Sequence, residues 1–106
     1  MTVYFYGRNS DIESFDRQSS IQTQLSKCQS YANIKDLKID VEITEQVSGT
    51  TCFERRIKGS ELMSILKRGD HIICSHLDRF SRNTLNLLQL VEKFRKQKVS
   101  LHFVDV

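Results

Sequence analysis

Four short runs of β-branched and aromatic residues alternate with helical periods along the chain, and this alternation limits the possible architectures more than any other feature. Residues 2–6 put Val3 and Phe5 on one face and Tyr4 and Tyr6 on the other, the period of a strand. Ser19 followed by Gln22 has the form of a capping box. It opens a predicted helix in which Ile21, Leu25, Cys28 and Ala32 share a face. Residues 37–44 alternate again, with Leu37, Ile39, Val41 and Ile43 opposite Lys38, Asp40, Glu42 and Thr44. A polar loop, 45–54, leads to a predicted helix over 57–67 with Leu62, Ile65 and Leu66 inward and Gly69 as its stop. Residues 71–74 read as a short buried strand. Thr84–Gln97 is the clearest helix, with a stripe of Leu87, Leu88, Val91 and Phe94, and 99–104 forms a last strand. Such an order predicts an α/β domain in three layers, a largely parallel four- to five-stranded sheet flanked by helices on right-handed crossovers.

Composition narrows the class further. At 106 residues, 39% hydrophobic and 27% charged, the chain suits one domain with a single core. No stretch approaches the roughly 18 apolar residues of a membrane span and no signal-peptide pattern opens the chain, so a soluble, cytoplasmic protein with no membrane partner is expected. Cys28, Cys52 and Cys74 are odd in number and far apart, which argues against a disulfide framework or a zinc site. A net charge of +3 is compatible with nucleic-acid contact without demanding it.

Open parallel sheets bind ligands beyond the carboxyl ends of their strands. The residues expected there are Arg8 and Ser10, Glu45, Asp78 and Arg79, and Asp105. Ser10 alone has two readings, a turn former or helix cap and a nucleophile. No Ser-His-Asp arrangement supports the second: His71 begins its strand, His102 lies within one, and only His76 falls near the edge. Phosphoryl transfer relaxes the need for a histidine, because charge stabilisation and positioning do most of the work. Arg79 and Arg82, three apart on a helical turn, face the same way and match phosphate oxygens with fixed charge and forked donors. Asp78 would orient one of them or handle a proton on the leaving group; a surface salt-bridge cluster at a helix start is the competing account.

Taken in order, Tyr6-x-Arg8-x-Ser10, Ser20-Ile21-x-x-Gln24, Val47-Ser48-Gly49, Arg56, Gly69-Asp70 and Leu77-Asp78-Arg79-x-x-Arg82 resemble the serine recombinases. That family comprises resolvases, DNA invertases and large phage integrases, and the likeness covers the whole chain as the N-terminal catalytic domain. The resemblance implies that Ser10 attacks DNA, forming a 5′-phosphoserine link and releasing a 3′-hydroxyl. Arg8, Arg56, Arg79 and Arg82 would surround the scissile phosphate. Asp78 would support the arginines or pass a proton to the leaving group, with Tyr6 and Gln24 as supporting residues. Arg56 rather than Arg55 fits by its spacing to Gly69-Asp70. The resemblance implies no cofactor, neither ATP nor a metal, and strand exchange on double-stranded DNA by a homodimer that pairs into a synaptic tetramer. It also implies that 1–106 stops short of the family's interface helix and DNA-binding domain, leaving the isolated domain inactive alone. Asp11, next to the nucleophile where the family has a small residue, is expected to face solvent. Ser81 stands where many members have glycine, closer to the invertase and integrase branches.

Two other functions fit parts of the pattern. Glu45, Asp78 and Asp105 on one sheet edge would suit Mg²⁺ in a metal-dependent nuclease or a topoisomerase-primase-like domain. A degenerate, non-catalytic assembly module would instead use apolar positions on the 84–97 helix, such as Leu85 and Leu90, as a partner face.

Overall fold

In a computed structural model that describes residues 1–10 and 20–105, the elements follow the expected alternation. They are β1 (Val3–Asn9), α1 (Ile21–Ile34), β2 (Val41–Gln46), α2 (Ile57–Ile65), β3 (His71–His76), the one-turn α3 (Leu77–Phe80), α4 (Thr84–Gln97) and β4 (Ser100–Asp105), with a 3₁₀ turn at Phe53–Arg55 before α2. All strand pairs are parallel, in the order β2-β1-β3-β4. The sheet therefore has four strands among the described residues and the three layers that the alternation predicts.

The period of two in β1 divides the core. Val3, Phe5 and Ile73 pack with Cys28 and Ala32 of α1 on one face. On the other, Tyr4, Tyr6, Ile72 and Cys74 meet Leu62 of α2, Phe80 of α3, and Leu90 and Phe94 of α4. Both clusters are shielded from water, and burial of such side chains supplies the main driving force for the fold.

Several expected details are corrected by tertiary contacts. β1 runs on through Gly7 and Arg8, so Arg8 lies inside a strand rather than after it. β2 begins at Val41, not at residue 37. Asp40 takes both main-chain groups of Val3, its N–H donating to Val3 O at 2.8 Å and its carboxylate accepting from Val3 N at 2.9 Å. The ladder can start only beyond that clamp, with Tyr4 opposite Val41. Leu37 and Ile39 pack on the α1 side while Ile43 packs on the other, so the single face expected for 37–44 does not form.

Ser20 is the N-cap of α1, its hydroxyl accepting from Thr23 N at 3.1 Å; the expected box at Ser19 lies outside the described residues, as does Asp11. In α2, Leu62 is buried but Ile65 is 47% exposed, and Met63 and Leu66 fill the inner side. α4 has the expected bounds with a rotated stripe: Asn86, Leu90 and Phe94 are buried, whereas Leu88 and Val91 are exposed. Asn86 explains the rotation. Its amide accepts from Ser81 Oγ at 3.0 Å and donates to Glu54 at 3.0 Å, so a polar residue turns inward with its hydrogen bonds satisfied. Leu90 consequently belongs to the core and not to a partner face, while Leu85 is exposed.

Candidate active site

The carboxyl ends of β1, β2 and β3 lie side by side at one end of the parallel sheet. Side chains two apart share a strand face, so Tyr6 and Arg8 follow Tyr4 toward the α2–α4 side. Arg8 is fully buried. Its guanidinium donates to three main-chain carbonyls: Nε to Arg79 O at 3.3 Å, Nη1 to Val47 O at 2.9 Å and Nη2 to Asp78 O at 3.0 Å. Gln24 fixes the Arg8 backbone from α1, accepting from Arg8 N at 3.2 Å and donating to Arg8 O at 2.9 Å. This pair is a side-chain substitute for a strand neighbour and accounts for a buried glutamine on α1.

Arg56 arrives from the opposite side, immediately before α2, and is 1% exposed. It donates from Nε to Thr51 O at 3.0 Å, from Nη1 to Arg79 O at 2.8 Å and to the Tyr6 hydroxyl at 3.1 Å, and from Nη2 to Gly49 O at 3.4 Å. Its guanidinium carbon also lies 5.8 Å from the Phe53 ring centroid and 6.0 Å from that of Tyr6, within cation–π range. Arg55 is exposed on the adjoining 3₁₀ turn. Thus Arg56, not Arg55, joins the edge.

A one-turn helix leaves its last carbonyls without internal partners. Arg8 and Arg56 fill that role for α3, the element that carries Asp78 and Arg79. Arg79 is half-buried and Arg82 exposed. Gly49 packs between Arg82 and Arg8: a Cβ there would stand 2.7 Å from Arg82 Cδ and Nε and 3.0 Å from Arg8 Nη2. Ser10, half-buried, directly follows β1, two residues beyond Arg8. The structure therefore brings Ser10, Arg8, Arg56, Arg79 and Arg82 to one end of the sheet.

Asp78 lies at the same edge, on α3. Its exposed carboxylate lies 3.9 Å from His76 Nδ1, and its main-chain carbonyl, not the carboxylate, receives Arg8. The three carboxylates weighed for a metal diverge. Glu45 accepts from Tyr6 OH at 2.6 Å and from Lys58 N and Gly59 N at 3.1 Å, and Asp105 pairs with Lys27 at 3.0 Å. Among the described residues no group of three His, Cys, Asp or Glu side chains is placed to hold a metal ion. Nor is any described helix long and apolar enough to cross a membrane.

The roles of two contributors escaped the sequence pattern. Phe53, assigned to a polar loop, is fully buried and stacks on Phe80 with ring centroids 4.2 Å apart, forming an apolar floor under Tyr6. Glu45, expected at this edge and as a metal ligand, instead accepts from Tyr6 and from the first turn of α2. Burial, reinforced by the hydrogen bond to Glu45 and opposed by Arg56, raises the Tyr6 phenol above its usual range, so Tyr6 stays neutral and donates. Cys74, beneath the arginines, is likewise pushed up to about 12 by burial and is a packing residue.

Comparison with known proteins agrees with this fold. The family model described as Resolvase, N terminal domain, matches residues 3–106. The chain is 28% identical over 106 residues to the transposon Tn3 resolvase of Escherichia coli, across 99% of this chain and 51% of that protein. It is 32% identical over 68 residues to the transposon Tn917 resolvase of Enterococcus faecalis, across 64% of this chain and 35% of that protein. The chain thus spans about half the length, or less, of the curated relatives it matches. The catalytic domain of TP901-1 integrase superimposes with a TM-score of 0.83 at 22% identity, over 98% of this chain and 78% of that one, a likeness of fold. A resolvase family site-specific recombinase from Streptococcus pneumoniae gives 0.76 at 26% identity, over 98% and 72%. With its parallel sheet, its converging arginines and a family match over nearly its full length, the chain belongs to the resolvase N-terminal domain family of serine recombinases.

Proposed function

We infer that the chain is the DNA-cleaving domain of a site-specific recombinase, and that Ser10 is its nucleophile. The observation that carries this reading is the gathering of one serine and four arginines at the carboxyl edge of the sheet. In the reaction, Ser10 Oγ bonds to phosphorus while the bond to the 3′ oxygen breaks. The 5′ phosphate stays on serine, the serine proton is lost, and the departing 3′ oxygen takes up a proton. Asp78, solvent-facing beside His76, is suited to that proton transfer.

Charge builds on the phosphate as Oγ adds, and preorganised guanidiniums stabilise it where water is excluded. Arg79 and Arg82 are the outer pair and meet phosphate first. Arg8 and Arg56 hold the 47–51 loop and α3, and exchange carbonyl acceptors for phosphate oxygens as the site closes, since charge-assisted bonds are the stronger. The ester retains the energy of the cut bond, so attack by the partner 3′-hydroxyl rejoins the strands without ATP. Double-stranded DNA is the substrate, and exchange takes place between dimers paired on two sites. Base recognition comes from elsewhere, because contacts to phosphate position DNA and contacts to bases specify it.

The test fuses the chain to an interface helix and a DNA-binding module and follows covalent protein–DNA adduct on a nicked target in EDTA. The expected adduct disappears in Ser10→Ala. A folded, dimeric, site-bound fusion that forms no adduct would favour a non-catalytic module, and adduct-free cutting restored only by Mg²⁺ would favour a nuclease.

A further inference from the structure

We propose that Glu45 is the positioning residue for Arg56, acting on it through two separate handles; this rests on the recombinase reading. The first handle is the side chain. Glu45 Oε2 accepts from the Tyr6 hydroxyl at 2.6 Å, which leaves the hydroxyl oxygen aimed at Arg56 Nη1, 3.1 Å away. Because burial keeps the phenol protonated, the order of donors is fixed: guanidinium to hydroxyl, hydroxyl to carboxylate.

The second handle is the main chain. Arg56 is the N-cap of α2, with extended backbone at φ −74° and ψ 142°, and its own side chain makes no capping bond. The first-turn donors of a helix need acceptors. Glu45 supplies them from β2, with Oε1 on Lys58 N and Oε2 on Gly59 N, both at 3.1 Å. Gly59 lets this turn press against the 3₁₀ turn, because a Cβ there would overlap the Phe53 carbonyl oxygen. One carboxylate therefore locks both the backbone that presents Arg56 and the hydroxyl that aims its guanidinium. Glu45 sits opposite Arg8 in the β1–β2 register, so the same strand rung links it to the other buried arginine.

The division of labour has a chemical logic. A carboxylate in direct contact with Arg56 would neutralise the charge needed at phosphate. Interposing Tyr6 transmits orientation while keeping the negative charge one residue away. Glu45 touches no reacting atom in this arrangement and acts only through Arg56.

Two measurements test the assignment. Side-chain NMR on the 106-residue chain reads the rotation of the Arg56 guanidinium without any DNA. Glu45→Gln and Tyr6→Phe should each speed that rotation by about fivefold, the scale of one lost hydrogen bond; unchanged rotation in both overturns the proposal. In the fusion, Glu45→Gln should slow adduct formation at saturating DNA roughly tenfold or more with DNA affinity held within about twofold, the signature of an interaction used only in the transition state. In an Arg56→Lys background the same change should cost less than about twofold, because residues acting as one unit are not additive. Equal losses in both backgrounds would make Glu45 an independent structural residue and overturn the proposal. Tyr6→Phe, which leaves the helix contacts intact, guards against misfolding of Glu45→Gln. A wild-type fusion that forms no Ser10 adduct removes the recombinase reading and this proposal together, an outcome told apart by that control alone.

Discussion

The Arg56 guanidinium donates to the main-chain carbonyl of Arg79 at 2.8 Å, so one candidate phosphate ligand holds the backbone of another. Arg8 reaches the same carbonyl at 3.3 Å. The two buried cations thus hold the fold together as well as lining the candidate site, whereas Arg79 is half-buried and Arg82 exposed. Substitutions should separate these roles.

Arg56→Ala removes the guanidinium donor from the Thr51 and Gly49 carbonyls, and leaves the Arg79 carbonyl with Arg8 alone and the Tyr6 hydroxyl with Glu45 alone. Urea unfolding should show a loss of about 3 kcal/mol or more, since each unsatisfied buried group costs on the order of 1–3 kcal/mol. Arg82→Ala, at an exposed position, should stay within about 0.5 kcal/mol of the parent. It should nevertheless slow adduct formation roughly a hundredfold, the usual scale for one preorganised charge-stabilising donor.

Gly49 and Gly59 should respond differently to alanine. At Gly49 the added methyl meets chiefly Arg82, an exposed and flexible side chain that can move aside, so cleavage should fall with little change in melting temperature. At Gly59 it meets the Phe53 carbonyl, which is backbone. There the helix-propensity gain of about 1 kcal/mol is outweighed by overpacking of about 1–3 kcal/mol, and thermal unfolding should show a net loss.

Thiol labelling checks the core. Burial pushes Cys28 and Cys74 up to about 12, so both remain unreactive thiols near neutral pH. Cys52, half-exposed before the 3₁₀ turn, should be the first to react with a thiol reagent. Fast labelling of Cys74 in the native protein would contradict the packing under the arginines.

Acid should weaken the seam between α1 and β4. Tyr31 OH lies 2.8 Å from His102 Nδ1, and His102 Nε2 lies 2.9 Å from His71 Nδ1. Burial, then His71, then Lys35 lowers the His102 pKa below 6.5. The unfolded chain therefore binds the proton more readily, and stability present above about pH 6.5 is lost as pH falls through the folded value. Melting temperature followed from about pH 7.5 to about pH 5 should drop more steeply in the parent than in His102→Gln. Parallel curves would refute the assignment.

Local pattern carried much of this protein. Strand and helix periods, the limits Thr84–Gln97 and the ordered Ser10 and arginine motifs all depend on residues close in sequence, where the periods of 2 and 3.6 are readable. Tertiary structure decided which face each element turned inward. Asp40 delayed β2 by seizing Val3, Asn86 rotated the α4 stripe through Ser81 and Glu54, and Phe53 left its polar surroundings to stack on Phe80. It also decided that Glu45 serves Tyr6 and α2, a bond between residues 39 apart in the chain. Periodicity reports that an amphipathic face exists. Only long-range hydrogen bonds and close packing select which polar residues are buried with it, because each must find its partner elsewhere in the fold.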